Sequence, residues 1–428
     1  MLTAFAQAFR TPDLRKKLLF TLMIMAVFRF GSFVPAPGVD YANVQQCVAG
    51  AESGFLGLVN LFSGGGLLQL SVFALGIMPY ITASIIVQLM RVVIPRFEEL
   101  HKEGQTGQAK LTQYTRYLTI FLGVLQSTVM VTSAARGALF PQCAVSPLPN
   151  STPLSLLLAI ITMTAGTGLI MWLGELITEK GIGNGMSLLI FTSIAASFPT
   201  GLIAVLGLES GIAKFALIVA IILVITLAVV FVEQCQRRIP VQYAKRMVGR
   251  RLYGGSSTYI PLKINLAGVI PVIFASSIMQ LPALAASFNQ QAGWAIWMNH
   301  YFAAGHPLRI AIYTVLTIFF AFFYTAITFN PEDTADNMKR YGGFIPSIRA
   351  GKPTADYLNY VMTRITAPGA LYLAVVALIP EIIFAIMHLQ GAMPWGGTSI
   401  MILVGVALQT VKDIDSQLQQ RHYEGFLS

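Results

Sequence analysis

Residues 63–91, SGGGLLQLSVFALGIMPYITASIIVQLMR, are apolar enough for a membrane span but cannot form one smooth helix. Three glycines begin the stretch, and Gly76 and Pro79 interrupt its middle. Proline lacks the amide hydrogen that a helix interior needs and clashes with the preceding turn. We therefore predict a broken element, with a short amphipathic half-helix at 67–73 followed by a second helix. Broken helices at membrane depth line a cavity or are buried in protein, so the stretch predicts a pore or binding cavity.

Two isoleucines lie at the predicted break. Ile77 and Ile81 are four residues apart, so they share one face of a helix. Aliphatic side chains at a narrow point keep it dry and oppose the entry of ions. This favours an apolar constriction, although ordinary helix packing produces the same spacing.

Composition assigns the chain to the membrane proteins. Hydrophobic residues make up 55% of 428 positions, charged residues make up 11%, and the mean hydropathy is +0.68. A soluble domain carries roughly 25% charged residues. The net charge of +10 alone would suggest nucleic acid, but the positions of the charges matter more here. We conclude that the chain is a polytopic membrane protein.

Ten apolar runs approach the ~20 residues that cross the hydrocarbon layer. The predicted spans are 18–34, 63–91, 117–135, 153–176, 186–206, 212–232, 267–286, 308–329, 367–387 and 397–411. An even number places both termini on the same side. Arg29 falls within the first span, where a charge is costly, so we expect it to face protein or to extend toward the interface.

The basic residues predict the orientation. If the N-terminus is cytoplasmic, all but four of the 28 Lys and Arg residues lie in inner segments. The exceptions are Arg29 in the first span and, outside, Arg136, Lys214 and Arg309. Because inner loops carry the excess of Lys and Arg in membrane proteins, both termini are predicted to be cytoplasmic.

Two inner loops are longer than a connection requires. Residues 233–265 and 330–360 mix Arg and Lys with Tyr, Phe and paired glycines, which favours ordered protrusions. One interpretation is that they determine topology by touching anionic lipid headgroups. The other is a docking surface for a large partner, either an acidic protein face or ribosomal RNA phosphate.

The motifs of several enzyme and carrier classes are missing from the sequence. No Gly-rich phosphate loop ends in Lys-Ser/Thr, and the five histidines lack metal-ligand spacing. GIGNG, at 181–185, joins two spans and predicts a tight turn in which Asn184 can cap the next helix. Carboxylates are scarce in the spans, which argues against a proton- or sodium-coupled carrier. Cys47 and Cys143 lie in predicted outer loops, and the sequence leaves open whether they pair.

Several longer motifs resemble the bacterial SecY family, the central subunits of the Sec protein-conducting channel. The resemblance covers nearly the whole chain. Its motifs are FRFGSFVPAPGVD (28–40), FSGGGLLQLSVFALGIMPYITASIIVQL (62–89), QYTRY (113–117), MWLGELITEKGIGNG (171–185), QRRIPVQYAKR (236–246), PLKINLAGVIPVIFASSI (261–278), FNPEDTADNMKRYGGFIPSIRAG (329–351) and GGTSIMI (396–402). Together they are highly specific, whereas GIGNG alone is not.

The resemblance implies an all-α fold of ten transmembrane helices in two inverted five-helix halves around a central pore. The halves would be residues 1–206 and 207–428. A gate between the second and third spans and the seventh and eighth would open sideways toward lipid for signal peptides.

The resemblance also implies the site residues. The pore ring would be Ile77, Ile81, Met186, Ile190, Ile273 and Ile402. Met186 departs from the branched aliphatic residue usual in the family, which would soften the seal. The plug, called the plug segment below, would be Gly65, Gly66, Leu67, Leu68, Gln69, Leu70, Ser71 and Val72.

The partners implied by the resemblance are proteins and lipids, with no cofactor and no metal. The two long loops would dock the SecA motor or a translating ribosome through Arg250, Arg251, Lys339, Arg340 and Arg349. Arg349 would couple SecA to the channel. SecE would brace the halves from outside, and SecG would be a peripheral third subunit. Anionic lipids would surround the channel in the plasma membrane of a bacterium.

The implied function is a passive channel that moves unfolded preproteins across the membrane and releases hydrophobic segments sideways into lipid. The energy would come from SecA, an ATPase, or from the ribosome. A secondary transporter with broken helices is the alternative, and convergent polar groups at mid-membrane would favour it. A purely structural membrane scaffold is a third interpretation. The sequence does not determine the resting gate state or the oligomeric state.

Overall fold

The structure is a computed structural model that describes most of the chain. The described residues are 9–48, 60, 63–137, 148, 152–206, 211–243, 246–248, 251–253, 257–288, 292–302, 306–386 and 397–424. Cys143 and Arg250, both named above, lie outside the described residues, and of Arg251 only the backbone is described.

Helices dominate the described part of the chain. Up to residue 234 they are α1 (Pro12–Gly31), α2 (Tyr41–Val48), α3 (Met78–Val93), α4 (Pro95–Lys102), α5 (Gln105–Ala135), α6 (Pro153–Lys180), α7 (Gly185–Leu206) and α8 (Gly211–Gln234). Beyond it they are α9 (Ile270–Phe288), α10 (Gly293–Tyr301), α11 (Pro307–Thr328), α12 (Pro331–Arg340), α13 (Lys352–Ile386) and α14 (Gly397–Glu424).

Nine of the ten predicted apolar runs coincide wholly or largely with a helix, namely α1, α5 to α9, α11, α13 and α14. Of the run 63–91, only the part from Met78 onward is helical, in α3. Five helical stretches in the described part are long and apolar enough to cross a membrane: Gln105–Ala135, Pro153–Lys180, Phe215–Gln234, Pro307–Arg340, which takes in α11 and α12, and Lys352–Pro380. A sixth span results if α3 and α4, which meet at an angle of 100°, count as one. The chain is therefore a multi-pass helical membrane protein, and the number ten stays a prediction.

The break in residues 63–91 is confirmed, but the half-helix predicted at 67–73 is wrong. Residues 63–77 form turns, interrupted by an isolated antiparallel bridge between Ser71 and Pro35. α3 begins only at Met78, with Pro79 in its first turn. Leu70 has a φ of 47°, a left-handed conformation that an L-residue cannot hold inside a right-handed helix. Leu70 N donates a hydrogen bond to Leu67 O (3.1 Å), and Gly76 N donates to Phe73 O (2.9 Å). Each bond joins residues three apart, as in a turn.

The membrane helices pack in two groups. In the first, α1 packs on α6 and α7, α3 packs on α5 and α6, and α6 packs on α5 and α7. In the second, α8 packs on α13 and α14, α9 packs on α11, and α13 packs on α11 and α14. Between the groups, α7 contacts α8 and α14, while α3 and α5 contact α9.

The prediction that the fold is all-α is wrong for the two long loops, which contain strands. The strands are β1 (Gln236–Tyr243), β2 (Arg246–Val248), β3 (Arg251–Tyr253), β4 (Ser257–Lys263) and β5 (Gly343–Phe344). β1 pairs antiparallel with β4, with Ile239 opposite Ile260, and β5 adds to the other edge of β1. β2 and β3 form a separate antiparallel pair between β1 and β4 in sequence.

The two loops thus form one ordered unit rather than two protrusions. We call β1, β4, β5, α12 and the first turns of α13 the sheet module. Its apolar core consists of Ile239, Val241, Leu262, Met338, Ile345, Leu358, Val361 and Ile365. β5 belongs to the second loop and pairs with β1 of the first. A conformational change in one loop is therefore expected to displace the other.

Candidate functional site

The six predicted ring residues come together in one apolar cluster. Ile77, Ile190, Ile273, Ile402 and Ile81 are all buried members of it, and Met186 is half-buried and packs against it. They come from the start of α3 and from α7, α9 and α14, so both helix groups contribute. The cluster thus lies where the two groups meet.

Local sequence explains how two of these residues are positioned. Ile77 is the residue immediately before α3, and the Gly76–Pro79 break aims it into the cluster rather than along a continuous helix. Met186 follows the GIGNG turn, where the Asn184 side-chain oxygen accepts hydrogen bonds from the amides of Met186 (3.1 Å) and Ser187 (3.3 Å). The predicted Asn184 cap is therefore confirmed.

The plug segment is buried despite its irregular backbone. Leu67, Leu68 and Leu70 are each 1% exposed and belong to a second apolar cluster, with α2, α5 and α6. Two of its polar atoms, Gln69 Oε1 and Ser71 Oγ, are buried without a hydrogen-bond partner among the described residues. An unpaired buried polar atom costs about 1–3 kcal/mol, so this segment is less tightly bonded than a helix of the same length.

Glycines on two helices make room for the end of this segment. A Cβ at Gly166 of α6 would overlap the carbonyl oxygen of Val72, and a Cβ at Gly31 of α1 would overlap the Phe73 ring. A side chain at Gly166 must displace the backbone of the segment, and one at Gly31 must displace the Phe73 ring. Residues 72–73 are therefore seated directly on the backbones of α1 and α6.

The predicted docking residues that the structure describes are exposed on the sheet module. Lys339 and Arg340 end α12, and Arg349 lies in the turn between β5 and α13. The Arg349 carbonyl accepts a hydrogen bond from the Thr354 hydroxyl (2.8 Å), while its guanidinium group is exposed to solvent. Ser347, two residues earlier, has a φ of 70°, which bends the chain outward at this point.

The α4 helix, next to the end of α3, is polar and exposed. Glu98 and Lys102 form an ion pair of 2.7 Å on its surface. The hydrogen bond from Lys102 lowers the pKa of Glu98 and raises that of Lys102. Since both groups are solvated, salt screens the pair, and it contributes little to stability.

Sequence reasoning missed an ion pair between α5 and α6. Arg116 donates from Nε and Nη2 to the two carboxylate oxygens of Glu175, at 2.9 and 2.8 Å. A bidentate pair of this kind fixes the relative orientation of the two helices. The residues are 59 positions apart, and nothing in the spacing of either motif indicates the contact.

The cysteines are accounted for only in part. Cys47, in α2, is disulfide-bonded, and Cys235 is a free thiol at the end of α8. Cys143 lies outside the described residues, so its pairing with Cys47 stays open.

The fold is that of a polytopic helical membrane protein with a broken element and an apolar cluster shared by two helix groups. A family model described as SecY matches residues 71–411, which is most of the chain. The chain therefore belongs to the SecY family, and the resemblance drawn from the motifs is confirmed.

Relatives and solved structures agree with this assignment. "Protein translocase subunit SecY" of Streptomyces scabiei is 61% identical over 436 residues, and that of Mycobacterium bovis is 54% identical over 445, each match covering 100% of both chains. The solved "structure of a protein conducting channel" aligns with a TM-score of 0.61 and 18% identity, covering 93% of this chain and 91% of that one. Sec61 from a canine ribosome-channel complex aligns with a TM-score of 0.58 and 17% identity, with the same coverage. At such identities the solved structures show the fold alone.

Proposed function

We propose that this chain is the channel subunit of a bacterial protein translocase, through which unfolded preproteins cross the membrane. One observation carries the proposal: five isoleucines and a methionine from both helix groups meet in one buried apolar cluster beside a broken, turn-rich segment. Flexible aliphatic side chains bind no passing side chain strongly, and they hold back ions by dewetting when the pore is empty. The names of the close relatives support the same function.

The proposal includes two five-helix halves, residues 1–206 and 207–428. The packing supports it, because the pairs α1–α6, α1–α7, α3–α5, α5–α6 and α6–α7 have counterparts α8–α13, α8–α14, α9–α11, α11–α13 and α13–α14. Four residues link α7 to α8, so the halves are covalently joined on that side. The side where α3 and α5 meet α9 has no such link and is the proposed gate toward lipid.

The channel is proposed to be passive and driven from the cytoplasm, where both termini would lie. SecA or a translating ribosome would dock on the sheet module and on the β2–β3 pair, which carry Arg251, Lys339, Arg340 and Arg349, with Arg250 next to β3 in sequence. SecE and SecG would complete the complex within a membrane containing anionic lipids. The exposed positive charge supports partners that are acidic or carry phosphate.

Reconstitution tests the proposed function. The chain, purified together with a SecE-type small subunit, is placed in liposomes with SecA, ATP and a radiolabelled preprotein. We expect labelled preprotein to become protected from added protease, and liposomes without the chain provide the control. Uptake of small solutes without protected preprotein would support the transporter alternative and contradict the channel.

The plug segment is tested by deleting residues 65–72. Because this stretch would block the outer half of the pore, its deletion should raise the resting ion conductance of planar bilayers while export continues. A folded deletion variant whose conductance equals that of the parent chain would remove the plug from the proposal.

A further inference from the structure

We propose that Arg29 is the latch of the plug segment, the side chain that holds its amino-terminal end in the closed position. The inference deepens the proposed function and rests on it. The motif that carries Arg29 lies on α1 and in the turn after it, outside the ring, the plug segment and the docking residues.

The guanidinium group of Arg29 contacts the segment directly. Its Nη1 donates a hydrogen bond to the carbonyl oxygen of Gly64, one residue before the plug segment begins. The same guanidinium group lies over the ring of Phe33, with the central carbon 4.6 Å from the ring centroid. The guanidinium group thus makes a cation–π contact with the Phe33 ring and a hydrogen bond with the Gly64 carbonyl oxygen. Arg29 itself is half-buried, so the charge has exchanged part of its hydration for these two contacts.

The carboxyl-terminal end of the segment is held by the same part of α1 and the turn after it, but through the backbone and through ring packing. Val72 N donates to Val34 O (2.8 Å), and Ala36 N donates to Leu70 O (3.0 Å). The rings of Phe28 and Phe73 are stacked at 6.0 Å. Residues 28–36 thus hold the segment at both of its ends.

The two ends differ in how they are attached. The carboxyl-terminal end makes two backbone hydrogen bonds to the turn that follows α1, and it packs directly on Gly31 and Gly166. No single side-chain substitution removes all of these contacts. At the other end, the bonds of Gly65 and Leu68 to Asn60 are local, within eight residues along the chain. The bond from Arg29 joins this end to a membrane helix. Leu67 and Leu68 still pack in the second apolar cluster, so breaking the bond is expected to loosen the amino-terminal end while the other end stays seated.

The expected size of the effect follows from the type of bond. A hydrogen bond from a charged donor changes an equilibrium by roughly 10- to 100-fold. If the latch contributes this to the closed state, its loss should raise the open fraction by about tenfold or more. Lysine can supply the charge but not the planar fork, so Arg29→Lys should have an intermediate effect.

The experiment measures the resting ion conductance of the full channel complex in planar bilayers. The variants are Arg29→Met, Arg29→Lys and the deletion of 65–72, each alone, and Arg29→Met combined with the deletion. Phe30→Met is the matched control, because the neighbouring Phe30 side chain is 73% exposed. Thermal unfolding of each purified complex establishes that it is folded.

We expect Arg29→Met to raise the conductance about tenfold, Arg29→Lys to raise it less, and Phe30→Met to leave it unchanged. In the deletion background, Arg29→Met should add nothing, because the segment on which it acts is gone. A purely structural role for Arg29 would instead raise the leak in both backgrounds, and that result would overturn the latch. Unchanged conductance in folded Arg29→Met, beside a leaky deletion, would also overturn it while leaving the proposed function intact. If the deletion itself does not leak, the plug assignment and the latch both fail.

Discussion

The apolar cluster that contains the six ring residues and the sheet module are built in opposite ways. In the cluster, aliphatic side chains such as Ile77 and Ile402 are at most 1% exposed and meet at the centre of the helix groups. In the sheet module, a small apolar core of a few residues supports a surface on which charged groups such as Arg349 are exposed. One region excludes water and the other presents charge to it.

This difference separates two functions that a translocation channel must combine. In the proposed function, sealing depends on buried apolar contacts and coupling to a motor depends on exposed charge, and the two sets of residues do not overlap. Distant sites without shared partners contribute almost independently to free energies. Substitutions should therefore change the resting leak or the motor-driven rate, but not both.

The largest effect is expected from Arg349→Glu. Arg349 is exposed beside Gly351, so its replacement should cost little stability. Reversal of its charge should remove the proposed contact to SecA, and central contacts at an interface are worth 2 kcal/mol or more, or at least about 30-fold in binding. We expect SecA-driven translocation into proteoliposomes to fall by that factor while ion leak and SecE association stay unchanged.

Lys180→Glu is the matched control, since it makes the same charge change at an exposed position at the end of α6. Ribosome-coupled insertion should suffer less than SecA-driven export, because Arg250 and Arg251 remain to meet RNA phosphate. Full translocation by Arg349→Glu would disprove the coupling role, and loss of SecE would reassign the residue to folding.

Ile273→Asn is expected to have a smaller effect, and to change the resting ion leak rather than SecA-driven translocation. An amide in the dry cluster costs about 1–3 kcal/mol unless water enters to hydrate it. Wetting should raise the resting ion leak roughly tenfold and relax the requirement for a good signal peptide. Ile273→Val keeps the site apolar and serves as the control. If the two variants leak equally, polarity at this position does not determine the seal.

The smallest effect is expected from Ile345→Val in the sheet module. Ile345 is 4% exposed, and its carbonyl accepts from Ile348 N (3.0 Å) in the turn that leads to Arg349. Removing one methyl group should lower the free energy of unfolding by about 0.5–1.5 kcal/mol. We expect the motor-driven rate to fall by less than about threefold with no change in leak, measured in the same liposomes. An increase in leak would show that the sheet module and the cluster are coupled.

The same two regions show how far the sequence can be interpreted. Spans are predictable because lipid and core both demand apolar side chains, so nine of the ten predicted runs coincide wholly or largely with a helix. The break at Gly76 and Pro79 follows from proline chemistry. The ring residues come from the family motifs, and their role as a pore ring stays a prediction. The ion pair of Arg116 with Glu175 could not be predicted, because only the tertiary fold brings α5 and α6 together.

The strands of the sheet module were missed for a physical reason. β1 and β4 each have only two alternating core residues, Ile239 with Val241 and Ile260 with Leu262, and each carries a proline between them. Proline in a short run argues against a strand. Pro240 is tolerated in β1 because β5 covers only part of one edge of that strand, at Gln242 and Tyr243. On this edge Pro240 has no neighbouring strand among the described residues. The turns of the plug segment were missed because a positive φ at Leu70 depends on its packing.

The central claim is that the preprotein passes through the ring, and site-specific crosslinking tests it most directly. A preprotein stalled in translocation carries one cysteine, and cysteines are placed in turn at Ile77, Ile81, Met186, Ile190, Ile273 and Ile402. Leu223, Leu227 and Phe231, which are 58%, 70% and 72% exposed on the outer face of α8, are the matched apolar controls. We predict disulfide capture of the stalled chain at the ring positions and none at the controls. Capture at the controls, or at no ring position, would contradict the account.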